Sequence, residues 1–83
     1  MDEDEKKQIQ SATLDRLINH LNERKDVQNI DLMNLAGFCR NCLSGWYQDA
    51  AKEKDIPLSK EEARAIIYGM PYSEWKKNYQ TEN

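Results

Sequence analysis

From Leu32 to Gln48 the only formally charged residue is Arg40, in a chain of 83 residues of which 33% are charged. So bare a stretch must be covered, by the rest of the chain or by a second copy, because apolar side chains gain free energy by leaving water. Its apolar residues recur at helical spacing: Leu32, Leu35, Ala36, Cys39, Cys42, Leu43, Trp46 and then Ala50. Met33, Phe38 and Tyr47 lie off that stripe. A helix that is apolar on several sides is buried on several sides. The pattern therefore predicts a central helix over residues 32–55, with the other segments packed around it.

Those segments are helical too, and no convincing strand is legible. Leu14, Leu17, Ile18 and Leu21 mark one helix face, extended towards the N-terminus by Ile9 and Thr13. This predicts a first helix from Glu3 to Lys25, with early acids and late bases that suit the helix dipole. A break comes next, at Asp26–Ile30. Asp31 is the expected N-cap of the central helix, with Ile30 and Leu35 spaced for a hydrophobic staple. Pro57 ends that helix and pushes Ile56 towards extended backbone. Ser59 and Glu62 form an S-x-x-E capping box. Ala63, Ile66, Ile67 and Met70 continue an apolar face. Gly69 suits the left-handed residue that closes a helix, and Pro71 prevents continuation. Ser73 is expected to cap a last short helix carrying Trp75 and Tyr79. The chain thus reads as one all-α domain over 1–83, about four helices around a central apolar one, assembled as a homodimer. An acidic, fraying start (1–5) and a polar tail (80–83) flank it.

Charge excludes several partners. The net charge is −3, and four acids fall in the first five residues. No basic stripe is present to neutralise phosphates, so nucleic acid is not an expected partner. An acidic surface is repelled by anionic membranes, and no apolar run approaches the 18 or so residues that span a bilayer. The polar, acidic N-terminus is not a signal peptide. The expected location is the cytoplasm, where both cysteines stay reduced.

Cys39-Arg40-Asn41-Cys42 is the one motif that invites chemistry, and three readings stand. Both cysteines lie on the apolar stripe, where a free Cys packs as a small hydrophobe. Thiolates three residues apart on a helix can share a zinc or other divalent ion, but a structural site needs about four ligands. His20, the sole histidine, would be a third, and a two-fold dimer would bring two pairs together. A redox pair instead sits at a helix N-terminus, where the thiol pKa falls, whereas this pair is predicted two turns inside a helix. No cofactor is expected outside the metal reading. Asp31, Asn34 and Arg40 would line a pocket near the start of the central helix, and with Cys39 they make a further, enzymatic reading. Gly37, Asn41 and Gly45 recur every four residues, a narrow face that, with Trp46 beside it, suits close approach of another helix. An internal Gly costs about 0.5–1 kcal/mol against Ala, which such an approach would offset.

The stretches DVQNIDLMNLAGFCRNCLSGWY (26–47) and EEARAIIYGMPYSEWK (61–76) resemble a family of short bacterial proteins known as domain-of-unknown-function family 1244. Asp31, Asn34, Gly37, Cys39, Arg40, Cys42, Met70, Pro71 and Trp75 match its pattern. The resemblance implies a small multi-helical fold, assembled as a homodimer, with no assigned activity and hence no catalytic or ligand residues to carry over. The expected function is a homodimeric, non-enzymatic interaction module. The alternative is a metal-binding or thiol-redox protein that uses Cys39 and Cys42.

Overall fold

The computed structural model describes residues 1–81. Five helices occur in order: α1 (Glu3–Glu23), α2 (Asn29–Ala36), α3 (Arg40–Glu53), α4 (Lys60–Tyr68) and α5 (Tyr72–Tyr79). No strand occurs among the described residues, so the fold is all-α. Two capping boxes act as expected of the chemistry. The Ser59 hydroxyl accepts the Glu62 N–H at 3.1 Å, while the Glu62 carboxylate accepts the Ser59 N–H at 3.1 Å. That donor holds the Glu62 carboxyl below its ordinary pKa. Asp2 and Glu5 make the same reciprocal pair at the start of α1.

The expected single helix over 32–55 is two helices. Gly37 has φ 76° and donates its N–H to the Met33 carbonyl at 3.0 Å, which closes α2. Only a residue without Cβ enters that left-handed conformation at little cost. Cys39, in extended backbone, then becomes the N-cap of α3. The start of α2 also shifts. Gln28 is its N-cap, and Asp31 is its third residue, accepting the Gln28 N–H at 3.1 Å. Ile30 and Leu35 form no staple, for Leu35 is 88% exposed. Ser73 likewise lies inside α5, with Pro71 at the N-cap.

The core comprises Ile18 and Leu21 of α1, Leu43 of α3, Ile67 and Tyr68 of α4, and Trp75 of α5. Each such side chain, fully buried, contributes about 1.5–3 kcal/mol. Tyr68 meets the Trp75 ring edge-on at 5.0 Å and the tilted Tyr72 ring at 5.1 Å, geometries that suit the ring quadrupoles. The stretch from Leu32 to Gln48 is not enclosed as its composition predicts. Within this chain only Cys39, Arg40, Leu43 and Ser44 of it are buried, and α2 is largely exposed.

Two features set the outline. Every residue from 1 to 13 is exposed, so the first half of α1 runs clear of the body, and the molecule measures 45 × 26 × 20 Å. At the other end, buried Gln28 fastens the chain after α5. Its side-chain amide donates to the Tyr79 carbonyl at 3.0 Å and accepts the Thr81 N–H at 3.0 Å. Of the expected polar tail, residues 82–83 lie outside the described residues.

Candidate functional site

The functional candidates gather where α2 turns into α3. The turn at Gly37 places Cys39, Arg40, Asn41 and Cys42 in the first turn of α3, not two turns inside a helix. Arg40 is fully buried. Its guanidinium donates to the Val27 carbonyl at 2.7 Å, the Arg24 carbonyl at 2.9 Å, the Asn29 Oδ1 at 3.1 Å and the Leu21 carbonyl at 3.4 Å. Its fork spans these acceptors as an ammonium could not. The guanidinium carbon also stands 5.0 Å from the centre of the Trp75 ring. Among the described residues no carboxylate bonds to it. The carbonyls at the C-terminus of α1, the negative end of that helix dipole, serve instead. Burial nevertheless pulls its pKa below the ordinary arginine value.

Asn29 links this cation to the core. It accepts the Arg40 main-chain N–H at 3.3 Å as well as the guanidinium, and its amide donates to the Tyr68 hydroxyl at 3.1 Å. Tyr68 then donates to the Asn41 Oδ1 at 2.7 Å. Burial is the main cause that pushes the Tyr68 phenol up to about 12. Arg40, Asn29, Tyr68 and Asn41 thus form one polar chain through the centre of the domain.

The cysteines lie beside it. Cys39 is buried, Cys42 is half-buried, both are free thiols, and their sulfurs are 3.7 Å apart. Cys42 opens into a surface pocket of about 280 Å³, shared with Asn41, Ser44, Gly45, Gln48, Lys60 and Arg64. Among the described residues no three His, Cys, Asp or Glu side chains converge as metal ligands, so His20 does not join the pair. The expected pocket of Asp31, Asn34 and Arg40 does not form either. Asp31 and Asn34 are exposed on α2, whereas Arg40 points into the body and is spent on backbone carbonyls. The expected close-packing face is divided as well. Gly37 lies in the turn and Gly45 within α3. Among the described residues no other helix comes within 4 Å of where a Gly45 Cβ would stand. Asn41 is engaged by Tyr68, and Trp46, 56% exposed, stacks on Phe38 with ring centres 6.0 Å apart.

A second opening lies between α1, α3 and α4. It is an apolar groove of about 450 Å³ whose walls include Leu14, Leu43, Trp46, Tyr47, Ile56 and Ile66, with Lys54 at its edge. Trp46 stands out in the sequence but the groove does not, because Ile56, Leu58 and Ile66 meet Trp46 only once the α3–α4 turn has folded back. Gln28 and Asn29 carry no signal in the sequence either: polar residues in a break look like ordinary loop, and their partners stand far away in the chain.

No helix among the described residues is long and apolar enough to cross a membrane. A family described as "Protein of unknown function (DUF1244)" matches residues 27–83. The match begins at Val27 and leaves α1 ahead of it. No curated protein matches the chain.

Proposed function

The chain belongs to the DUF1244 family of proteins of unknown function, and we propose that within it this protein is a homodimeric helical interaction module, working in the cytoplasm, whose groove is filled by the α1 arm of a second copy. The supporting observation is surface area. A compact monomer of 9.8 kDa exposes about 5,200 Å² by the usual scaling, whereas this chain exposes 6159 Å². The excess, about 1,000 Å², is on the scale of one side of a standard interface. Exposed apolar side chains contribute to it: Trp46, Ile56 and Ile66 at the groove, Ile9 and Leu17 on the adjoining α1, and Ile30, Met33 and Leu35 on α2. Leu14 lies both on the α1 stripe and in the groove wall. A two-fold pairing makes such a surface self-complementary. Each arm lays Ile9 and Leu17 into the other copy's groove, and its acidic start faces Lys54. The arm gains as well, since an isolated helix of three turns is marginal in water.

Mass measurement in solution tests this. The expected species at micromolar concentration is a dimer. Ile9→Glu, at a site with no role in the monomer's core, and Trp46→Glu shift it to monomer with helix content unchanged. A wild-type monomer at that concentration refutes the proposal.

A further inference from the structure

We infer that Cys39 and Cys42 form a thiol–disulfide exchange site for small disulfides that carry carboxylate groups. Three observations converge on it, and none depends on self-association. The sulfurs are free and 3.7 Å apart, so an approach to the bonded distance of about 2 Å is a small movement of two side chains. Cys39 occupies the N-cap of α3, where a hydroxyl or carboxylate would bond the orphan amides of the first turn; its side chain makes no cap bond and lies against the Cys42 sulfur instead. Finally, Cys42 is the half-buried member of the pair and opens into the pocket of about 280 Å³ whose wall carries Lys60, Arg64, Asn41 and Gln48. Gly45, one helical turn on in that wall, adds no side chain to obstruct it. The pocket therefore sets Lys60 and the Gln48 amide around one thiol, with Arg64, which also pairs with Glu61 at 3.5 Å, and the Asn41 amide, whose Oδ1 is taken by Tyr68, beside them, which suits a short peptide-like disulfide with anionic ends.

The positions divide the roles. Cys42, reachable from the pocket, attacks as its thiolate one sulfur of the incoming disulfide, and the other half leaves as a thiolate that takes up a proton. Cys39, buried behind Cys42, then attacks the Cys42 sulfur and expels the second half. One protein dithiol and one small disulfide become one protein disulfide and two small thiols, with two electrons passed from the protein to the disulfide.

Glutathione disulfide is the probe. Folded protein is incubated with it in graded ratios to reduced glutathione, quenched with acid, alkylated and weighed intact. The expected wild-type product lacks two hydrogens and takes no alkyl group. Cys39→Ser is expected to stop with one glutathione on Cys42, and Cys42→Ser to remain unmodified while folded. Lys60→Glu is expected to slow the reaction about tenfold through lost attraction, while leaving the rate with the uncharged disulfide of mercaptoethanol unchanged. A wild type that stops at the mixed disulfide, or whose thiols react only after denaturation, overturns the exchange site. Equal slowing of both disulfides by Lys60→Glu overturns the anionic specificity.

Discussion

Replacing Arg40 by Met keeps the length and most of the apolar volume of the side chain but removes the guanidinium, and the hydrogen bonds around that group set the cost. Three of its four acceptors keep another donor. The Leu21 carbonyl still accepts the Arg24 N–H, the Arg24 carbonyl still accepts the Val27 N–H, and Asn29 Oδ1 still accepts the main-chain N–H of residue 40. The Val27 carbonyl alone loses the one donor it has, at 2.7 Å. An orphaned, partly buried carbonyl costs about 1–3 kcal/mol, and a desolvated cation over an indole is worth about 2 kcal/mol. The other lost charge-assisted bonds, about 1.5–3 kcal/mol each, are set against the several kcal/mol recovered by no longer burying a charge. The net expectation is a loss of about 3–5 kcal/mol, a large share of the 5–15 kcal/mol that holds a typical domain. Urea unfolding followed by circular dichroism reads it as a midpoint lowered by roughly 2 M or more, given slopes near 1–2 kcal/mol per molar for small proteins. Arg40→Lys should fall between, because an ammonium reaches fewer of these acceptors. An Arg40→Met protein as stable as the wild type would refute the reasoning. The desolvation of the charge would then match all that its bonds return.

The two glycines should respond oppositely to alanine. Gly37→Ala, at φ 76°, is expected to cost about 1–2 kcal/mol, whereas Gly45→Ala, with open space for a methyl group, should stabilise the chain by about 0.5–1 kcal/mol; thermal melts at low protein concentration check both. Tyr68 predicts an alkaline limit. Its phenol is at about 12 in the folded protein and near 10 when unfolded, so between those values the unfolded chain has released a proton that the folded chain retains. Stability therefore falls with rising pH across that window, by up to about 1.4 kcal/mol per unit, and Tyr68→Phe should remove this component from a pH series of urea melts.

Much of the architecture is legible in residues that act locally. Ser59 with Glu62, Gly69 and Pro71 delimit α4 because caps and stops work within one turn. The stripe from Leu14 to Leu21 locates α1 for the same reason. The break at Gly37 escapes such reading because Ala36 and Cys39 keep the helical apolar period across it, although Gly37, like Gly69, is the residue type that ends helices. That single misplacement carried the cysteines from a helix end to a helix interior. The role of Arg40 was hidden for a different reason. Its partners are main-chain carbonyls of residues 21, 24 and 27, which have no side-chain signature, and a lone arginine in an apolar run looks the same whether it faces a pocket or a backbone.

That choice of partners bears on how α1 can change. Residues 27–81 hold the end of the helix before them by atoms that every amino acid supplies, helped by a few side chains, chiefly Leu14, Ile18 and Leu21. The outer surface of α1 is thus free to be rewritten, by mutation or by grafting, with little effect on how it docks. A leading helix could be exchanged like the bit in a drill chuck, new in what it presents and unchanged in how it is gripped.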